Sequence, residues 1–180
     1  IREAFISPKG TKLLAVDYSQ IELRLMAHYS KDPIMLDSFR NDEDIHKRTA
    51  SEIFGVEISD VDSQMRRRAK TINFGLLYGM SSFGLSNQLE VSRAEADIFL
   101  NNYFERYAAV KTFMTNIVEQ AKKDKFVKTL YNRKIHVPNI EASNYMMRQG
   151  SERAAINGPL QGSAADIIKI AMINIQNWIN

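Results

Sequence analysis

The chain of 180 residues contains no cysteine, which excludes disulfides, thiolate metal sites and a cysteine nucleophile together. Its three histidines, His28, His46 and His136, are too scattered for a local metal-ligand pattern. No apolar run approaches the ~18 residues a membrane-crossing helix needs, so no membrane partner is expected. With 44% hydrophobic and 25% charged residues, the composition is not that of a disordered tail either. The length suits one ordinary domain or part of a larger one. A soluble intracellular protein is the expectation.

An excess of one charge is also nearly missing, and where it sits is informative. Lys and Arg number 24 against 21 Asp and Glu, a net charge of +3. Four of the cations, Arg66, Arg67, Arg68 and Lys70, fall in one short segment, which therefore holds more than the whole excess. Such a cluster suits a phosphate-bearing partner, although a solvated face has the same composition.

Hydrophobic spacing predicts a mainly α chain with a small β component, an α+β arrangement. The apolar run Lys12–Val16 reads as a buried strand ending at Asp17. Helices are expected over 19–30, 42–54, 63–78, 92–104 and 108–123, with a loop at 79–84. Two short strands at 126–130 and 134–137 read as a β-hairpin closed by Pro138. Helix follows over 144–157, is interrupted by Gly158-Pro159, and resumes near Ser163 with Ile167, Ile168, Ala171, Ile175 and Trp178 as its apolar stripe.

The helix over 63–78 carries the strongest signal. With Met65 set at zero, Ala69, Ile72 and Leu76 fall within roughly 40° of it and form the buried face. Arg66, Lys70, Phe74 and Tyr78 are spaced by four and fall at about 100°, 140°, 180° and 220°. Phe74 thus lies opposite the core, where a surface helix should be polar. Two cations can neutralise a polyphosphate and two rings can offer a flat surface to a base or sugar. The plainer reading is that the rings pack on another element and the cations are solvated.

Asp17, at the end of its expected strand, is placed to hold a hard cation such as Mg²⁺, which takes one or two carboxylates together with substrate phosphates. An Asp ending a strand and opening a turn has the same appearance. Ser19-Gln20-Ile21-Glu22 matches a capping box, in which Glu22 reaches back to the N-cap backbone.

Three segments together resemble one family. Asp17-Tyr18-Ser19-Gln20-Ile21-Glu22-Leu23-Arg24 resembles motif A of the family A DNA polymerases. Arg66-x-x-x-Lys70-x-x-x-Phe74-x-x-x-Tyr78-Gly79 resembles motif B, the nucleotide-binding helix of the fingers. Arg153-x-x-x-Asn157-x-x-x-Gln161 resembles the segment that contacts the primer–template minor groove. The order agrees, and the similarity runs over essentially the whole chain.

The resemblance implies the fingers of a right-hand polymerase with part of the palm. It divides the chain into partial palm at 1–37, fingers at 38–150 and a helix returning to the palm at 151–180. It implies a bacterial, cytoplasmic, nucleoid-associated monomer whose partners are primer–template DNA and deoxynucleoside triphosphates (dNTPs). Asp17 and the Tyr18 carbonyl would ligate one or both of two Mg²⁺ ions, which stabilise the attacking and leaving oxygens as a deoxynucleotidyl group passes to the primer 3′-hydroxyl. Arg66, helped by His46, would clamp the outer phosphates. Lys70 would neutralise the α-phosphate or protonate the leaving pyrophosphate. Phe74 would pack on the incoming sugar and base, while Tyr78 would border the nascent pair and its DNA. Glu22, with Gln20 beside it in the nucleotide site, would fill the space of a ribose 2′-hydroxyl. Arg153, Asn157 and Gln161 would probe minor-groove acceptors common to all base pairs, although a polar helix face would look the same.

The family's third motif, His-Asp-Glu on a later strand, is absent, and with it the second metal carboxylate. An excised, catalytically incomplete piece of the polymerase domain is therefore expected. A non-catalytic module binding nucleotide or nucleic acid through the same helix is the rival from another class. A single-subunit RNA polymerase is disfavoured by Glu22 and Phe74.

Overall fold

The computed structural model describes residues 2–179. Among them are eight α-helices, two short 3-10 turns and a two-stranded sheet. The helices are α1 (Ile21–Ser30), α2 (Pro33–Arg40), α3 (Ile45–Phe54), α4 (Ser63–Leu77), α5 (Ser82–Leu89), α6 (Arg93–Arg106), α7 (Ala108–Asp124) and α8 (Tyr145–Ile179). The strands β1 (Phe126–Lys128) and β2 (Lys134–His136) lie between α7 and α8. The mainly α architecture with a small β component is what the periodicity predicts.

Side-chain caps set several helix starts. Asp32 accepts from the Ile34 and Met35 N–H groups ahead of Pro33, opening α2. Asp44 opens α3 through the His46 and Lys47 N–H groups. Asp62 opens α4 through Met65, and Ser92 with Glu95 forms a complete capping box on α6. Each such cap is worth about 1 kcal/mol. Helix α2 and helix α5, which Ser81 caps, were not expected from apolar spacing.

The main core gathers Leu23, Leu25 and Met26 of α1, Met35 of α2, Ile45 and Ile53 of α3, and Ile72, Leu76 and Leu77 of α4. Leu85, Tyr103, Tyr107, Val110 and Leu160 complete it from α5 to α8. A satellite cluster joins Ala50, Val61 and Ala69, with half-buried Met65 packed against it. Ala69, Ile72 and Leu76 are thus buried as the wheel predicts, while Met65 is at the margin.

Three sequence expectations fail, each for an identifiable reason. Residues 11–18 form no strand, and Leu14 and Val16 are 68% and 70% exposed. A strand needs a partner for its backbone groups, and the sheet among the described residues consists only of β1 and β2. The box at Ser19–Glu22 does not form either. Gln20 is the N-cap in a left-handed conformation (φ 56°) without a side-chain cap bond, and Glu22 is engaged elsewhere.

Finally, Gly158-Pro159 does not interrupt the helix. Pro159 lies inside the 35-residue α8, where it removes one backbone donor. The hairpin docks beside that point. Val127 pairs with Ile135, and Val127, Val137 and Ile140 bury against Ala121 of α7 and Ala155 of α8. Gly162 is where the hairpin comes closest, since a Cβ there would stand 2.7 Å from Thr129 Cγ2 and 2.8 Å from Ile135 Cδ1. Arg133 donates to the Gly162 carbonyl at 3.0 Å and to Asp166 at 2.9 Å. Ser163 Oγ accepts from the Leu130 N–H at 2.9 Å and lies 2.9 Å from the Tyr29 hydroxyl of α1.

Candidate functional site

Helix α4 turns one face to the core and leaves Arg66, Lys70, Phe74 and Tyr78 along the other. Lys70 and Tyr78 are exposed, and Arg66 and Phe74 are half-buried. The first cation is anchored, because Arg66 Nε donates to Asp44 Oδ2 at 2.7 Å. Asp44 uses its other oxygen to cap α3, so one carboxylate fixes both the helix start and the guanidinium. Partial burial pushes the Asp44 carboxyl up, but the hydrogen bonds from Arg66 and from the Lys47 and His46 backbone outweigh it and hold the group below its usual range. Among the described residues Nη1 and Nη2 of Arg66 make no hydrogen bond.

A row of rings follows. His46 and Phe74 have centroids 5.9 Å apart, and Phe74 stacks toward Tyr78 at 6.4 Å with planes 23° apart. The Tyr78 hydroxyl donates to Glu22 Oε2 at 2.6 Å, joining the α4 stripe to α1. That bond, with a smaller contribution from burial, pushes the Tyr78 phenol up to about 12, so it stays a donor at neutral pH. Gln20 sits two residues before Glu22, and Arg24 closes the turn by donating to the Ser19 carbonyl at 3.1 Å.

His46 is 2% exposed. Burial pulls its pKa from the usual 6.5 down to about 4, with Asp44 opposing the shift and Arg66 and Lys70 adding to it. The imidazole is therefore neutral at pH 7. It takes no proton until about pH 4, whereas the unfolded chain's takes one near 6.5. Stability is fully present above 6.5 and falls as pH drops through that window, by roughly 3 kcal/mol at its lower end. Urea unfolding at pH 7 and pH 4.5 is expected to show the loss, and His46→Gln is expected to remove that part of it. Equal pH slopes in the two chains would contradict this account.

The third group also converges on the stripe. Gly79, directly after Tyr78, has φ +67°, and a Cβ there would stand 2.8 Å from Arg153 Cγ. Arg153 and Gly79 share a cleft of about 150 Å³ with Ser81, Gln149, Glu152 and Ile156. Because α8 is unbroken, Arg153, Asn157 and Gln161 run along one helical face. Arg153 and Gln161 are exposed, and the half-buried Asn157 leaves its Oδ1 without a partner.

Asp17 stands apart. It is exposed on the extended segment, beside a cavity of about 270 Å³ lined also by Leu14, Val16, Tyr18 and the α8 residues Ile168, Ala171, Met172 and Ile175. Of the predicted apolar stripe of α8, Ile168, Ala171 and Ile175 thus face that segment, whereas Ile167 packs on the main core and Trp178 is exposed. Among the described residues no three His, Asp or Glu side chains converge. A pair of Mg²⁺ ions needs more oxygen ligands than this chain gathers around Asp17.

Sequence reasoning missed Asn73, Thr49 and Tyr107, which surround His46 from behind. All three are buried, and Asn73 Nδ2 lies 3.1 Å from His46 Nδ1. The signal was a polar residue, Asn73, one position after Ile72 on the core side of α4.

A family model described as DNA polymerase family A matches residues 1–180. The chain belongs to DNA polymerase family A. It is 52% identical to DNA polymerase I of Pseudomonas aeruginosa over 179 residues, covering 99% of this chain and 20% of that protein. DNA polymerase I of Caldicellulosiruptor bescii is 49% identical over 97% of this chain and 21% of its own length. The family A chain thus spans about a fifth of the length of the curated relatives it matches. Among solved structures it resembles the POL domain of Pol1 from M. smegmatis in complex with DNA primer-template and dNTP. The TM-score is 0.87 and the identity 45%, covering 91% of this chain and 29% of that one.

Proposed function

We propose that this family A chain forms the dNTP-binding face and part of the primer–template face of a DNA-directed DNA polymerase. The observation that carries the reading is the α4 stripe, where an anchored guanidinium, an exposed ammonium and two stacked rings lie in a row away from the core, with Glu22 bonded to the last ring. A polyphosphate fits the cationic end, and a sugar and base fit the rings. The relative solved with primer-template and dNTP supports both partners.

In this reading residues 1–37 are partial palm, 38–150 fingers and 151–180 the return to the palm. Arg66 and Lys70 hold the triphosphate, and Phe74 and Tyr78 border the sugar and the nascent pair. Arg153, Asn157 and Gln161 lie toward the minor groove. The reaction is attack of the primer 3′-hydroxyl on the α-phosphorus with pyrophosphate leaving. Lys70, one turn from Arg66, is the group on this chain positioned to give the leaving oxygen a proton. Asp17 is the one carboxylate we assign to the metal site, whose remaining ligands this chain does not gather. When bound, the two ions supply charge stabilisation at the attacking and leaving oxygens.

Replacing the matching fifth of the Pseudomonas aeruginosa enzyme by this chain tests the reading, and primer extension by the chimera is the expected result. Glu22→Ala in that chimera is expected to lower the preference for dNTPs over ribonucleotides about tenfold or more, the range over which one misplaced polar group discriminates substrates. A chimera that is folded, binds DNA and extends nothing would refute the assignment.

A further inference from the structure

Thr49 on α3 and Asn73 on α4 form a buried polar pair, exposed 0% and 1% respectively. Buried polar side chains of this kind cost stability unless every group is matched, and here the matching has a direction. The Thr49 hydroxyl has one proton and two acceptors in reach, the Ile45 carbonyl at 2.8 Å and Asn73 Oδ1 at 3.2 Å, and the shorter contact within the helix takes it. Toward Asn73 and Tyr107 it therefore offers lone pairs. With that proton engaged, Asn73 Nδ2, 3.0 Å from Thr49 Oγ1, is the donor to it, as is the Tyr107 hydroxyl at 3.3 Å. That orientation of the amide leaves the second Nδ2 proton pointing at His46 Nδ1, 3.1 Å away. The backbone of α3 thus decides, through Thr49 and Asn73, which ring nitrogen of His46 is bare.

We propose that Asn73 is a positioning residue for nucleotide binding: oriented by Thr49, its carboxamide holds His46 Nδ1 as an acceptor, so that a neutral imidazole presents an Nε2–H donor on the triphosphate side of α4. The proposal rests on the nucleotide reading of the α4 stripe. Among the described residues Nε2 makes no hydrogen bond. The charged groups acting on the ring are Asp44 on its own helix and Arg66 and Lys70 from α4, the last two being the cations assigned to the phosphates. A neutral donor near these two cations adds a contact to an anion without adding repulsion between Arg66, Lys70 and a third positive charge. The ring also abuts Phe74, so its tilt bears on the aromatic surface.

The test has a spectroscopic arm and a binding arm, both on the full chain. Long-range ¹H–¹⁵N spectra of the His46 ring at pH 6 are expected to show a bare Nδ1 and a protonated Nε2. A proton on Nδ1, or a doubly protonated ring, would overturn the proposal without any variant being needed. Asn73→Asp, of the same shape but offering only acceptors, is expected to move a proton to Nδ1. In the binding arm a dNTP with Mg²⁺ is titrated into the wild-type chain, Asn73→Leu and Arg66→Ala, with folding checked by circular dichroism. Asn73→Leu is expected to weaken binding about tenfold, the loss for one misaligned donor to a charged group. Weaker binding in Arg66→Ala with none lost in folded Asn73→Leu would show Asn73 to be merely structural and reject the proposal. If Arg66→Ala also binds as tightly as the wild type, the nucleotide reading itself fails and the proposal falls with it.

Discussion

Arg66→Ala is expected to raise the dissociation constant for a dNTP with Mg²⁺ about tenfold to a hundredfold while costing the fold less than ~1 kcal/mol. The two effects separate because of how Arg66 is held. Among the described residues its one ion pair is the Nε contact to Asp44 Oδ2, and both side chains are partly exposed. Such a surface pair contributes little to folding. Asp44 keeps its capping bonds to His46 and Lys47 when the guanidinium is gone. The phosphate contact proposed for Arg66 would have no replacement, since Lys70 is a point charge one turn away and offers no planar fork. Arg66→Lys is accordingly expected to recover only part of the affinity. Isothermal titration of the three chains, with unfolding curves alongside, checks both halves. Unchanged affinity in a folded Arg66→Ala chain would remove the stripe from the nucleotide site.

The largest stability effect is expected one face away on the same helix. Ile72 is fully buried in the main core, and Ile72→Ala is expected to destabilise the chain by about 2–5 kcal/mol, through lost transfer energy and the cavity left behind. Met65→Ala is expected to cost less, because Met65 is half-buried at the edge of the cluster formed by Ala50, Val61 and Ala69. Urea denaturation of both variants measures the difference. A larger loss from Met65→Ala than from Ile72→Ala would mean that the helix is rotated from the orientation described. Together the two pairs of variants are expected to divide α4 into a face that folds the chain and the face proposed to meet the nucleotide.

The helix that matters most was legible because its signal is local. Asp62, the apolar i, i+4, i+7, i+11 spacing of Met65, Ala69, Ile72 and Leu76 and a following glycine mark α4, and the expected 63–78 differs from Ser63–Leu77 by one residue. The hairpin was legible for the same reason. Two identical-looking patterns then diverge. Ser92-x-x-Glu95 closes a capping box, whereas Ser19-x-x-Glu22 does not, because the Tyr78 hydroxyl, 56 positions away, takes the Glu22 carboxylate. Asp32-Pro33 carried a readable start signal for α2, an N-cap followed by proline at the first helical position, which apolar spacing alone passed over. Leu13–Val16 has the composition of a strand, but whether a strand forms depends on neighbours no local pattern reveals. Thr49, Asn73 and Tyr107 were invisible for a related reason, as their meaning lies in hydrogen bonds across 24 and 58 positions.

The unbroken course of α8 past Pro159 gives the molecule a ruler. At 1.5 Å per residue, its 35 residues span roughly 50 Å. One end lies near Gly79 and the Arg153 cleft, and the other carries the apolar residues that line the cavity beside Asp17. The distance and the angular phase between those two places are set by a count of residues, and not by loops that could stretch. Its weakest joint, where proline withholds a hydrogen bond, is splinted by the hairpin through Arg133, Gly162 and Ser163. Bending this ruler therefore means lifting the hairpin off it, so that a short sheet governs how stiffly the two ends of the helix are held in register.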